Sequence, residues 1–201
     1  MRIALYLAPL LVTAAACGTS KKAPDGSVAS ACTATASYGT VAPAAADQAA
    51  KKNATPPAQL SFDARANADA MYDDFSIQLF KGSGTYATGE IVAKTIPLTG
   101  AEVQYKDCGA CFLIYTDVHP TDAGAASTDA YMATGGTLDI TQVSPNLVGT
   151  LTSGTFAHVT IAADFTSTVV GDCSATVASF TFNTPVVMAF ADSGVHSQRT
   201  R

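Results

Sequence analysis

The sequence contains no tryptophan, and only two glutamates and three histidines among its 201 residues. Charged side chains make up 13% of the chain, and the formal net charge is −5. A mildly acidic chain without a basic cluster lacks the electrostatic signature of nucleic-acid binding, so we expect no nucleic-acid partner. The histidines (His119, His158 and His196) are isolated, and His158 alternates toward solvent in a strand pattern. They have no zinc-ligand spacing, so we expect no metal and no cofactor.

Motifs of nucleophilic and acid–base catalysis are also lacking. The chain has no Gly-x-Ser-x-Gly elbow and no set of Ser, His and Asp in a recognisable order. Because Glu90 and Glu102 are the only glutamates, no spacing singles out the carboxylate pair of a glycosidase. We therefore expect a protein that is not an enzyme.

The N-terminus has the pattern of an export signal. Arg2 supplies a short positive region, and residues 3–16 are small and apolar. This run is shorter than the roughly 20 apolar residues of a membrane-spanning helix. It ends in Ala14-Ala15-Ala16, a pattern that also fits ordinary signal cleavage. Small residues directly before Cys17 resemble the bacterial lipobox, although Ala14 stands where Leu is usual. The resemblance implies lipidation of Cys17.

Cleavage before Cys17 divides the chain into four segments. They are a lipoprotein signal peptide at 1–16, a flexible tether at 17–31, a folded domain at 32–190 and a disordered tail at 191–201. Gly18 stands where enteric-type lipoproteins retained at the inner membrane carry an Asp. We therefore expect an exported protein, attached to the outer membrane by its lipid, on the periplasmic or the surface face.

The domain has the alternating pattern of β-strands from residue 59 onward. Phe75, Ile77 and Leu79, for example, alternate with Ser76 and Gln78. Several short strands at short spacing are typical of a sandwich or a small barrel. We predict one all-β domain, an antiparallel β-sandwich of jelly-roll or immunoglobulin-like type. Before it, residues 44–52 are rich in Ala, Gln and Lys, which favour a short helix.

The cysteine count supports an oxidised, exported protein. If Cys17 carries lipid, four of the five cysteines remain, an even number that predicts two disulfides in an oxidising compartment. Cys108 and Cys111 enclose a tight turn before an apolar strand, and we predict that they pair. Cys32 would then pair with Cys173. The sequence leaves the crossed pairings open.

Two other functions stay open at this point. Cys108 and Cys111 resemble a thiol–disulfide redox centre, but the residues after them read as a strand. Such centres usually place a helix there to lower the thiol pKa. Acidic clusters offer oxygen ligands for calcium, as a calcium-dependent glycan-binding module would need. The clusters are Asp69, Asp73 and Asp74, and Asp117, Asp122 and Asp129. They match no EF-hand or nonapeptide pattern, so we interpret them as solvated turns.

Several motifs in a fixed order carry a family resemblance. They are the opening Cys32-x-Ala-x-Ala-Ser-Tyr-Gly39, Leu79-Phe80-Lys81-Gly82 with Gly84, Cys108-Gly-x-Cys111, Tyr131-Met-Ala-Thr-Gly-Gly-Thr137 and Gly171-Asp-Cys173. Through them, residues 32–183 resemble a family of small lipoproteins of myxobacteria and their relatives. The resemblance implies a lipid-anchored domain with paired cysteines and no assigned activity. Our hypothesis is a non-enzymatic binding or structural module of the envelope, with a protein or glycan partner.

Overall fold

A computed structural model of the chain describes residues 32–53, 59–67, 69–121 and 124–189. By its internal contacts the chain divides into two units, Met1–Ala31 and Cys32–Arg201, and the described residues all belong to the second unit. The predicted signal peptide and tether, with the lipidation site Cys17, lie outside the described residues. So does the predicted tail at 191–201.

The described residues are mostly β-strand, which confirms the all-β prediction. The strands are β1 (Thr40–Val41), β2 (Gln48–Asn53), β3 (Gln59–Arg65), β4 (Tyr72–Phe80), β5 (Lys94–Pro97), β6 (Ala110–Thr121), β7 (Gly124–Ala126), β8 (Asp129–Gln142), β9 (Asn146–Ile161) and β10 (Ser167–Met188). Three short 3-10 turns lie at Ala45–Asp47, Gly84–Tyr86 and Gly100–Val103. Within the described ranges, no helix has the length and hydropathy needed to cross a membrane.

The strands join one sheet in the order β5-β8-β9-β10-β2-β3-β4-β6-β7. Because β6 also pairs with β8, the seven strands from β8 through β10 and β2 to β6 form a closed circuit. Neighbouring strands are antiparallel, except that β10 is parallel to β1 and β2. The short strands β5 and β7 lie at the two ends of the path. Pro97 ends β5, as its missing N–H requires of an edge strand.

The inner face of the circuit carries the main apolar core. Every second residue of β3 and β4 points into it, as the alternation predicts, and the same face of β6 and β10 adds large aromatic rings. Phe75 stacks on Phe180 at 4.9 Å between ring centroids, and Phe112 meets Phe180 edge-on at 5.6 Å. Each such pair contributes about 0.5–1.5 kcal/mol beyond burial. These rings hold strands from opposite parts of the circuit together.

The chain enters the fold alongside β10. Ser37 forms a parallel bridge with Thr176, and the Tyr38 N–H donates to the Thr176 carbonyl at 2.9 Å. β1 then continues the parallel pairing with β10. Cys32, at the start of this segment, lies at disulfide distance from Cys173 on β10. This arrangement fits the predicted pairing and fastens the first described residue to a strand far along the sequence.

A second, smaller apolar cluster covers the outer face of β6. Its buried members are Phe80, Tyr105, Cys108, Cys111, Leu113, Met132 and Val159. Cys108 and Cys111 lie at disulfide distance from each other and have no exposed surface. β6 begins at Ala110, inside this pair, so the cysteines hold the turn that starts a central strand.

A buried carboxylate joins the loops that precede β6. Glu102, in the turn Gly100–Val103, is only 4% exposed. Its Oε1 accepts a hydrogen bond from the Thr85 N–H at 2.6 Å, and its Oε2 accepts one from the Ala110 N–H at 2.6 Å. Thr85 lies in the turn Gly84–Tyr86. One side chain therefore connects two turns to the first residue of a core strand.

The short helix predicted over residues 44–52 is wrong. Ala45–Asp47 is a single 3-10 turn, and Gln48–Asn53 is β2. β2 is paired on one side with β3 and on the other with β10, and Ala50 is buried. The helix propensity of Ala, Gln and Lys amounts to at most about 0.7 kcal/mol per residue. Two rows of backbone hydrogen bonds and core burial override it.

The two longest strands, β9 and β10, each run through a local irregularity. β9 runs through Ser153, which adopts a φ of 53°, and β10 runs through a bulge between Val169 and Ser174. Gly171-Asp172 is part of this bulge, and Gly171 has a φ of 62°. Gly permits such a conformation without strain. The chain therefore forms a bulge at this point, and β10 continues beyond it.

Candidate functional site

A cavity of about 520 Å³ lies on the outer face of β2, β3 and β4. Polar residues of β3 and β4 form its floor: Gln59, Ser61, Asp63, Arg65, Asp74, Ser76 and Gln78. The turn Ala45–Asp47 and the start of β2 line one side, and Tyr115 of β6 with Ala125 and Ala126 of β7 lines another. Small-molecule sites commonly have volumes of about 300–1,000 Å³. The size therefore suits a small ligand.

The strand register determines which side chains form the floor. Side chains alternate between the two faces of a strand. The residues that lie between the core residues along β3 and β4 therefore point outward. Asp63 lies opposite Ser76, and Arg65 lies opposite Asp74. On the other side of β4, Asp74 lies opposite Tyr115. Three strands thus bring these polar side chains together from segments as far apart in sequence as Asp63 and Tyr115.

Two floor residues are buried, although they are polar and point away from the main core. Ser76 is 1% exposed and donates a hydrogen bond from Oγ to Asp63 Oδ1 at 2.8 Å. Gln78 is 9% exposed; its Oε1 accepts a hydrogen bond from the Tyr105 hydroxyl at 2.9 Å, and its side chain also bonds to Tyr115. An ordinary solvated sheet face would leave such side chains exposed. Their burial beneath the side walls distinguishes this face as a shaped site.

The electrostatics of the floor centre on Asp74. Burial, together with the nearby Asp63 carboxylate, raises the pKa of Asp74 to about 8, although Arg65 acts in the opposite direction. The Arg65 guanidinium also lies over the Tyr72 ring, 4.1 Å from its centroid. Burial raises the pKa of Tyr115 as well. The raised pKa of Asp74 favours its neutral, protonated form at neutral pH, and in that form the carboxyl has an O–H donor.

We predict that Asp74→Asn changes how stability depends on pH. The pKa of Asp74 is about 8 in the folded state, against the ordinary value of 3.8 for an Asp carboxyl, so the folded state binds more protons between these values. The free energy of unfolding of the wild type should therefore fall as pH rises from about 4 to about 8. Asn cannot ionise, so the variant should lack this slope. Thermal unfolding should show the variant gaining about 3 °C or more on the wild type between pH 5 and pH 9.

The matched control is Asp73→Asn, which changes the neighbouring carboxyl on the opposite face of β4. Asp73 accepts hydrogen bonds from the Tyr38 hydroxyl at 2.6 Å and from the Asp117 N–H at 3.3 Å. This variant should lose stability at every pH and keep the wild-type slope between pH 4 and pH 8. An unchanged slope in Asp74→Asn would show that Asp74 is ionised in the folded protein at neutral pH.

The Cys108–Cys111 pair, which the alternative redox function would use, does not open onto the cavity or onto solvent. Cys108 and Cys111 are fully buried in the smaller cluster, and a strand follows them. Gly109 between them packs so closely that a Cβ there would lie 2.7 Å from the Thr85 nitrogen. A thiolate that attacks a substrate needs access and a low pKa. This environment suits a structural cross-link.

The acidic residues considered for calcium are spread over different faces. Asp73 and Asp74 point to opposite sides of β4, Asp69 is exposed, and Asp122 lies outside the described residues. Asp129 Oδ1 lies 3.1 Å from His158 Nε2. In the part of the chain that the structure describes, no three His, Cys, Asp or Glu side chains come together as a metal site requires.

The histidines occupy separate environments. His158, which alternation placed toward solvent, is partly buried and stacks on the Tyr131 ring at 5.2 Å between centroids. The reason is its register position opposite Tyr131, a core residue. His119 Nδ1 lies 2.9 Å from the carbonyl oxygen of Asp117. His196 lies outside the described residues.

Among the cavity residues, the sequence singled out only Asp74, as part of an acidic cluster. The available signal was that β3 carries polar residues at its outward positions and β4 carries them at Asp74, Ser76 and Gln78, with Asp63, Arg65 and Asp74 charged. Charged residues on two adjacent strands indicate a covered polar site only if other parts of the chain are known to flank that face of the sheet. Otherwise they indicate a solvent-exposed face. Those walls come from residues 46–49 and 51, and from residues 115, 118 and 125–127, which the sequence does not connect to β3 and β4.

No protein-family model, no curated protein and no solved structure matches this chain.

Proposed function

We propose that this chain is an exported, lipid-anchored envelope protein whose all-β domain binds a small polar ligand and performs no catalysis. The cavity on β2, β3 and β4 carries this proposal, because its floor holds buried, hydrogen-bonded polar side chains beneath raised walls. A domain that binds no ligand would have no physical reason to bury the polar side chains of Ser76 and Gln78 on the outer face of its sheet. Pre-formed polar side chains in a concave site are typical of ligand recognition.

The anchoring part of the proposal rests on the N-terminal sequence. A short basic start, an apolar run and small residues before Cys17 support export and lipidation at that residue. The family resemblance, through the motifs around Cys32 and Cys173, also supports a lipid anchor, and Gly18 after Cys17 supports placement at the outer membrane. We further propose a sandwich-like domain, in the sense that the sheet folds over and encloses one apolar core.

Native mass spectrometry of the detergent-extracted protein tests both parts. We expect a chain that begins at Cys17 and carries acyl chains, together with a small molecule that is lost when the protein is denatured. Ser61→Trp should abolish the retained molecule, because the indole would occupy the floor of the cavity. Thr181→Trp, at an exposed position of β10, is the matched control and should retain it.

Each part can fail separately. A mature chain that begins elsewhere, or that lacks acyl mass, would contradict the anchor. A wild-type protein without any retained molecule, or an equal amount retained by Ser61→Trp, would contradict binding in this cavity.

A further inference from the structure

We infer that the ligand of the cavity is a neutral saccharide unit, recognised without calcium. The inference rests on the proposed binding function and specifies its ligand. It depends on the charge balance of the lining, on the mixture of donors and acceptors at the floor, and on two tyrosine rings beside them.

The charged lining residues balance one another. They are Asp47, Lys51, Asp63, Arg65 and Asp74. Burial and the nearby Asp63 carboxylate raise the pKa of Asp74 to about 8, which favours the neutral form of this carboxyl at pH 7. Two acidic and two basic side chains then remain, and they carry no net charge. A ligand ion of either sign would gain little from such a lining and would lose its hydration.

The floor combines hydrogen-bond donors and acceptors within a few strand positions. Carboxylates only accept, guanidinium and ammonium groups only donate, and amides and hydroxyls do both. Asp63 and Ser76 lie directly opposite each other, as do Ser61 and Gln78. A ligand with several hydroxyls, each able to donate and accept, satisfies such a mixture better than a ligand with one polar end.

Tyrosine rings provide the apolar contacts that a sugar ring needs. Tyr72 and Tyr115 both line the cavity. The Arg65 guanidinium lies over the Tyr72 ring, 4.1 Å from the ring centroid. Aromatic rings with polar tips suit ligands that present both C–H and hydroxyl groups. The remaining apolar lining consists of alanines and Val118, which is too little surface for a lipid. The pattern therefore favours a saccharide over an apolar ligand.

The carboxyls of the floor are committed to functions other than metal binding. Asp63 accepts a hydrogen bond from the Ser76 hydroxyl, and burial raises the pKa of Asp74, which disfavours the ionised form that a cation would need. Calcium requires several ionised or carbonyl oxygens directed at one point. Binding of the saccharide should therefore persist when calcium is removed.

Isothermal titration calorimetry on the full detergent-extracted protein, at pH 7 with EDTA, tests the inference. The neutral probes are glucose, mannose, N-acetylglucosamine and maltose. The charged probes are lysine, glycine betaine as a zwitterion, and glucose 6-phosphate. We expect at least one neutral sugar to bind and Asp63→Asn to weaken it tenfold or more. Asp139→Asn is the matched control, since Asp139 also accepts a strand hydroxyl, from Thr95 at 2.6 Å, but lies outside the cavity.

The outcomes separate this inference from the proposed function. If only charged probes bind, and Asp63→Asn weakens them, the saccharide assignment is wrong while the cavity remains a binding site. If a sugar binds equally to wild type and Asp63→Asn, its site is elsewhere and the inference is wrong. If no probe binds, the saccharide inference is overturned, and the retained molecule in the native mass measurement decides the proposed function independently.

Discussion

Replacing Cys32 and Cys173 together by serine should lower the free energy of unfolding by about 5 kcal/mol. The two residues are 141 positions apart, so their cross-link removes much of the conformational freedom of the unfolded chain. In the folded protein Cys32 is exposed and Cys173 is only partly buried, so serine itself should be tolerated. For a domain of this size the loss corresponds to a fall in Tm of about 10–20 °C.

Amide hydrogen exchange should show which part of the folded domain loses protection when the Cys32–Cys173 cross-link is removed. Without the cross-link, the segment that enters alongside β10 is held by the bridge at Ser37, the two-residue β1 and the side-chain hydrogen bonds of Thr33 and Tyr38. The Tyr38 N–H, bonded to the Thr176 carbonyl, should lose protection before the amides of β3 and β4 do.

Reducing agent is the control for the serine substitutions. The wild type should lose stability on reduction by about as much as it loses by mutation, provided that the buried Cys108–Cys111 pair stays oxidised. Alkylation and intact mass after mild reduction should then find two labels, on Cys32 and Cys173. A loss below about 1 kcal/mol, with unchanged protection of Tyr38, would mean that the cross-link does not hold this segment.

Glu102→Ala should destabilise the domain by about 2–5 kcal/mol. The substitution leaves the buried N–H groups of Thr85 and Ala110 without their acceptor, and it opens a gap between two turns and β6. Each buried N–H that loses its partner costs about 1–3 kcal/mol. Glu102→Gln keeps the size but replaces one acceptor by a donor, so it should recover only part of the loss. Chemical denaturation measures both variants.

The other glutamate of the chain provides a matched control. Glu90 pairs with Lys81 at the surface, and its side chain is 71% exposed. Exposed ion pairs contribute about 0–1 kcal/mol, so Glu90→Ala should stay close to the wild type. Equal losses for Glu90→Ala and Glu102→Ala would contradict the role assigned to the buried carboxylate.

Local patterns predicted the strands better than the way in which the strands are joined. The alternation of Phe75, Ile77 and Leu79 with polar residues is a property of one segment, and β4 follows it. Closure of the circuit depends on β6 pairing with β8, and the parallel pairing of β2 with β10 spans about 135 residues. Such contacts leave no local periodic signal, so the sequence did not specify them.

The cavity also depends on contacts between segments that are distant in the sequence. Asp63 and Ser76 read as a solvent-facing alternation when each strand is considered alone. They become a hydrogen-bonded floor, in which Ser76 is buried, between Ala45–Asp47 on one side and β7 on the other. The raised pKa of Asp74 likewise depends on Asp63, which belongs to another strand. A pattern within one strand cannot carry this information.

The closed circuit also limits how copies of this domain can meet. Along the path of described strands, the ends are β5 and β7, with four and three residues. Unpaired strand edges are the templates on which chains polymerise, and short edges that carry Lys and Pro resist such growth. β5 has Lys94 and Pro97 at its two ends. If the chain is lipidated, diffusion in a membrane would bring many copies together at high local density, and this edge chemistry would keep them from stacking into fibrils.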